Sequence, residues 1–187
     1  IDNSDPFSAL AFRFLIVAIG FLLFSIYTKK KIAVNKKNFF ESFFSGVLFH
    51  GFYLGGVFFS ISKGMPTGIA ALIVTLQPIL TNALSGPILN EKVTIKQWVG
   101  VLLGFVGAIL VLGLDIGSDI PIVGLIATVI ALIAITSSTI WQKKISNNLP
   151  LSVSNMYQAI GGCTFHILVI IFFAKPYIDF SQTFIIA

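Results

Sequence analysis

Charge is what this chain has least of: charged side chains make up 10% of its 187 residues, against about 25% in an average soluble domain. Hydrophobic residues reach 56%, so too few polar groups remain to solvate the surface of a folded domain in water. There is one cysteine, Cys163, which excludes an intramolecular disulfide and any cysteine-based zinc site. No Walker loop, HExxH or G-x-S-x-G occurs, so neither ATP-driven transport nor the common hydrolytic chemistries are written here. The chain opens on Ile1 rather than Met, with no positively charged stretch before its first apolar run. A truncated chain is expected from this rather than a cleaved signal peptide.

Long apolar runs are what the sequence does have. A helix crosses a hydrocarbon core of about 30 Å with about 20 residues at about 1.5 Å each. Six such runs are present: Phe7 to Tyr27, Phe43 to Ile61, Gly68 to Leu89, Gln97 to Leu114, Ile120 to Gln142 and Val153 to Ala174. Phe184 to Ala187 reads as the opening of a seventh. The runs are unbroken and do not alternate with polar residues, which favours helices over barrel strands. The expected fold is an all-α integral membrane protein, a polytopic bundle with six transmembrane helices.

The net charge of +5 follows from topology and not from nucleic-acid binding. Lys29, Lys30, Lys31, Lys36 and Lys37 follow the first span, Lys92 and Lys96 the third, and Lys143 and Lys144 the fifth. The opposite side carries Lys63, Lys175 and, a short way into the first span, Arg13, together with Asp2, Asp5, Asp115, Asp119 and Asp179. Lysine and arginine mark the cytoplasmic side, so residue 1 is expected on the extracytoplasmic side of a bacterial inner (plasma) membrane.

The stretch SKGMPTGIAALIVTLQPILTNALSGPILNEKVTIKQWVGVLLGFVGAILVLG, Ser62 to Gly113, joins several features in order. A turn carries Pro66, and a helix follows with Gly68, Ala70, Ala71, Leu72 and a central Pro78. Glu91 marks a further turn, and Gln97, Trp98 and Gly100 open a helix with Gly104 and Gly107. In this the chain resembles the drug/metabolite transporter superfamily, specifically its EamA type. The opening PFSALAFRFL, with Arg13 and Phe14, looks like the family's second helix. GLIATVIALIAITSSTIWQKKIS looks like the first helix of its second repeat.

The resemblance implies ten helices in two inverted five-helix repeats, with both termini cytoplasmic. On that template residues 1–114 are the first repeat without its first helix, and 115–187 begin the second with helices six, seven and the start of eight. Pro6-Phe7-Ser8 and Pro150-Leu151-Ser152 open helices at corresponding places on opposite membrane faces, the arrangement an inverted repeat requires.

Within the spans, polar residues draw attention because lipid penalises them. Pro78 removes a hydrogen bond from the carbonyl of Val74 and predicts a kink. Gln77, Thr81 and Ser85 share one face beside it, with Thr75 and Asn82 nearby. That face either lines a cavity or binds neighbouring helices. His50 and His166, the only histidines, each lie roughly 13 Å inside their spans at helical rise. Either ring meets substrate or proton, or it is neutral and bonded to a backbone carbonyl. Tyr53 extends the His50 face. Gly51 and Gly55 on the second span, and Gly100, Gly104 and Gly107 on the fourth, are expected to serve helix packing. Trp141, beside Lys143 and Lys144, reads as an interfacial anchor. No Asp or Glu lies within a span, so a carboxylate proton relay is not visible.

The implied activity is secondary transport of small metabolites such as amino acids or drugs, by alternating access. His50, Tyr53, Gln77, Thr81 and Asn82 are the expected cavity residues, with no catalytic residue, metal or cofactor. The expected partners are the lipid bilayer and a small-molecule substrate, not nucleic acid, and a homodimer is one option. The rival readings are a membrane-embedded enzyme of acyl or lipid transferase type, which needs a nucleophile or carboxylate beside the histidines, and a non-transporting scaffold.

Overall fold

Three residues with left-handed backbone stop three of the helices. The structure, a computed structural model, describes residues 6–112, 120–145 and 149–173. Helix α1 (Pro6–Tyr27) starts on a proline, whose missing N–H costs nothing in a first turn. It ends where Lys29 takes φ 53°. The N–H groups of Lys29 and Lys30 turn back to the carbonyls of Ile26 and Ser25, at 3.0 and 2.9 Å. This nested pair caps the helix as a glycine would. Gly64, φ 87°, does the same after α3 (Gly55–Ser62), with Met65 N–H on Ser60 at 3.1 Å. Asn90, φ 55°, closes α5 (Gln77–Leu89).

The second span is longer than its apolar run. Asn35 accepts the N–H of Asn38 at 2.8 Å and so caps α2 (Lys36–Gly46), starting the helix in polar sequence before Phe43. The chain continues through a π-helical segment, Val47–Leu54, into α3 (Gly55–Ser62). The third span comprises α4 (Thr67–Val74) and α5 (Gln77–Leu89), interrupted at Thr75–Leu76. Pro78 sits in the first turn of α5, where its absent N–H is tolerated. Thr75 Oγ1 donates to Leu72 O at 2.7 Å and Leu76 N–H to Ile73 O at 3.1 Å, closing carbonyls at the break. A second proline, Pro87, lies inside α5.

Helices α6 (Ile95–Leu112), α7 (Ile122–Ile145) and α8 (Leu151–Phe173) complete the described chain. Among the described residues there is no strand. Five helical stretches are long and apolar enough to cross a membrane, whereas the apolar part of α6, Ile95–Leu110, is shorter. The fourth expected span, Gln97 to Leu114, is described only as far as Leu112, its expected end lying outside the described residues. The same holds for Asp2, Asp5, Asp115, Asp119, Lys175, Asp179 and the run Phe184 to Ala187.

The chain divides into two compact units, one up to Gly51 and from Ser146 onward, the other Phe52–Ile145. In the first, α1 and α2 pack against α8. Leu10, Phe14 and Ala18 of α1 and Val153, Met156, Ala159 and Cys163 of α8 are buried there. Glycine sets the spacing: a β-carbon at Gly46 would overlap the backbone of Gln158, and one at Gly161 the carbonyl of Phe43. In the second unit α7 packs against α3, α4 and α5, while α6 packs against α4 and α5. Hydroxyls join the helices at Ser60 and Thr128, 2.7 Å apart.

Candidate functional site

His50, in the first unit, lies in the π-helical segment Val47–Leu54. Its ring sits 4.4 Å from that of Phe14 and 5.0 Å from that of Phe49, and its β-carbon lies against Gly162. Nδ1 of His50 is buried with no hydrogen-bond partner among the described residues. The backbone carbonyl of His50 faces Nε2 of His166 at 2.9 Å. A carbonyl only accepts, so this nitrogen carries the hydrogen and donates it. The fully buried ring of His166 is stacked on Phe14, 5.8 Å between centroids and 6° between planes. His166 thus takes the carbonyl-bonded arrangement, the second of its two readings. A π segment widens the helix and turns its carbonyls away from ideal α geometry, and here a donor from α8 meets one of them.

The other expected cavity residues belong to the second unit. Tyr53 is half-buried. Gln77 Nε2 donates to Thr139 Oγ1 on α7 at 3.1 Å, and that hydroxyl donates onward to Ile135 O at 2.8 Å. Thr81 is buried, and its Oγ1 has no hydrogen-bond partner among the described residues. A helical threonine ordinarily bonds the carbonyl one turn back, as Thr128, Thr136 and Thr139 do. Ser85 Oγ donates to Thr81 O at 2.7 Å, and Asn82 is half-exposed. The polar face of α5 therefore joins α7 at Gln77 and keeps an unmatched hydroxyl one turn further on.

The expected packing glycines divide. Gly51 lies under the Phe165 ring, 2.6 Å from where its β-carbon would be, and Gly55 is buried. A β-carbon at Gly100, Gly104 or Gly107 would meet nothing within 4 Å among the described residues. Their i, i+4, i+7 spacing marks a face of α6, yet no neighbour among the described residues comes close enough to require glycine at these three positions.

Several polar contacts were not read from the sequence. Ser25 donates to Ser152 at 3.0 Å, Gln158 Nε2 to Ser154 Oγ at 3.2 Å, and Gln142 Nε2 to Ser138 Oγ at 3.1 Å. For Ser138 the available signal was the run Thr136-Ser137-Ser138-Thr139 inside an apolar span; Thr136 and Ser138 are buried and Ser137 is exposed. At the ends of α5 and α7, Lys143 Nζ meets Glu91 Oε2 at 2.9 Å. Both are about half exposed, so the pair adds little stability. It joins the neighbouring ends of α5 and α7 within the second unit.

Apolar helices of this length, with polar groups turned toward other helices, define an integral multi-pass membrane protein. The sequence profile of the EamA-like transporter family matches residues 1–113, and the chain belongs to that family. It is 30% identical over 181 residues to the "Uncharacterized transporter YyaM" of Bacillus subtilis, covering 92% of this chain and 58% of that protein. It is 28% identical over 177 residues to an "Uncharacterized transporter in sor 3'region" of Acidianus ambivalens, covering 95% and 64%. A "Probable amino-acid metabolite efflux pump" of Salmonella typhimurium is 30% identical over 95 residues, 50% of this chain and 32% of that protein. The chain spans less than two thirds of the length of these relatives. No solved structure matches it.

Proposed function

We propose that the protein is a secondary carrier of small metabolites, amino acids or drugs among them, working by alternating access in a bacterial inner membrane. The segment before α1 lies on the extracytoplasmic side in this reading, and residues 1–114 and 115–187 belong to successive inverted repeats. Transport rather than catalysis is supported by membership of a transporter family and by the relatives' printed names.

The observation that carries the reading is the interrupted third span. A helix that breaks at Thr75–Leu76 and holds the unmatched, buried Thr81 hydroxyl one turn beyond Gln77 has polar capacity in excess of its own contacts. Such backbone and side chains are tolerated at membrane depth where they border protein or a wet cavity. Gln77, Thr81, Asn82 and Tyr53 are proposed to meet solute in the second unit, and His50 in the first.

Substitution separates lining from helix-joining. Asn82→Ala and Gln77→Ala in the full-length protein change uptake or efflux kinetics at unchanged expression. Thr139→Val, which removes the Gln77 partner without touching solute, lowers stability and leaves substrate KM alone. Wild-type kinetics for both the Asn82 and Gln77 variants would sink the assignment.

A further inference from the structure

The densest charge in the molecule lies outside any feature used for transport. Lys29, Lys30, Lys31, Lys36 and Lys37 fall within nine consecutive residues and all are exposed. The only carboxylate between Pro6 and Asn90 is Glu41, 3.9 Å from Lys37 in an i, i+4 pair that water largely screens. Membrane orientation accounts for lysines on this side. It does not require that they be held rigidly, or that aromatic rings be set beside them.

Both conditions are met. The loop is fixed at its start by the left-handed stop at Lys29. In its middle the Tyr157 hydroxyl donates to Ile32 O at 3.0 Å, and at its end Asn35 caps α2. The first turn of α2 holds Lys36 and Lys37 and no acidic residue, so the positive end of the helix dipole adds to the lysine field instead of being neutralised.

Two faces of α2 differ. Phe39 packs inward, edge-on to Tyr157 at 5.2 Å and stacked on Phe43 at 5.7 Å. Lys36, Phe40 and Phe44, at i, i+4 and i+8, form an outward stripe, the two rings 63% and 51% exposed. The stripe runs from a cation to one ring about 6 Å deeper and a second about 12 Å deeper. At the end of α1, Tyr27 is 85% exposed and Phe24 55%, again with lysines directly after them. A phospholipid has the same order, an anionic headgroup above an apolar chain.

We propose that the loop of residues 28–35 and the outward stripe of α2 form a binding surface for an anionic phospholipid. The lysines hold the headgroup phosphate while Phe40 and Phe44 lie along an acyl chain. Charge complementarity selects the lipid: a zwitterionic headgroup brings its own cation to five lysines, whereas phosphatidylglycerol brings a net negative charge. The inference stands independently of which solute the protein carries.

Tryptophan quenching by brominated lipid tests it. The full-length protein with Trp98→Phe, Trp141→Phe, any further tryptophan likewise replaced, and Phe40→Trp is reconstituted into phosphatidylcholine vesicles containing brominated phosphatidylglycerol or brominated phosphatidylcholine. The introduced indole is expected to be quenched at a lower mole fraction of the anionic lipid, with a preference that shrinks as salt is raised. Adding Lys30→Gln and Lys36→Gln lowers that preference about thirtyfold, with Lys29, Lys31 and Lys37 left to hold orientation. Lys30→Arg with Lys36→Arg retains it. Equal quenching by the two lipids, an unchanged preference in the Gln pair, or its loss in the Arg pair would each overturn the proposal.

Discussion

His166 of α8 donates its Nε2 hydrogen to the backbone carbonyl of His50, 2.9 Å away, inside the π-helical segment of the second span. The two rings share a third, Phe14, which lies 4.4 Å from His50 and 5.8 Å from His166. A side chain of one helix thus satisfies the main chain of another where that helix departs from α geometry, a known cause of local helix distortion.

His166→Phe keeps an aromatic ring against Phe14 and removes the donor. The expected loss is about 1–3 kcal/mol, the usual cost of a buried polar group left without its partner. His166→Gln, which retains an N–H of similar reach, is expected to recover part of it. Thermal unfolding in detergent measures both, and a Phe variant as stable as wild type would show that the carbonyl has another donor.

Glycine substitution gives a sharper contrast. Gly161→Ala places a β-carbon on the Phe43 carbonyl, where only backbone could yield. A cost of about 1–3 kcal/mol is expected from such overpacking. Gly104→Ala meets nothing within 4 Å among the described residues, and it is expected to be neutral or slightly stabilising through helix propensity. Equal stability of the two variants would contradict the packing described for the first unit.

These glycines show where sequence reading ended. Gly100, Gly104 and Gly107 carry the small-residue spacing of a packed helix face, and Gly161 and Gly162 are merely adjacent. The closest approaches nonetheless occur at Gly46 and at the adjacent pair. Spacing reports which residues share a face, not which neighbour that face meets. The spans were legible because hydrocarbon thickness dictates the length of an apolar run, and the break before Pro78 because proline lacks an N–H. The π segment left no mark: Val47–Leu54 contains neither proline nor a Gly/Ser pair, and the donor that meets one of its carbonyls, His166, lies on another helix. Of the expected site residues, Gln77 was recognisable as polar in lipid, but its bond to Thr139 depends on a helix 62 residues away.

Orientation can be read by labelling. With Cys163 replaced by Ser, a cysteine introduced at Lys30→Cys or Glu91→Cys is expected to react with an impermeant thiol reagent only after the cytoplasmic side is opened. One introduced at Gly64→Cys is expected to react in intact cells. The lysine pattern places the first two on one side and Gly64 on the other. The reverse pattern would invert the topology, and labelling of all three from one side would remove both of the crossings between them.

The account turns on whether the protein moves a solute unchanged. The full-length protein, purified into sealed proteoliposomes, is expected to equilibrate a radiolabelled amino acid or a related small metabolite faster than protein-free vesicles, with saturation and with the label recovered chemically intact. Flux no greater than in protein-free vesicles across a panel of amino acids and amphipathic drugs, or recovery of a chemically altered product, would contradict it.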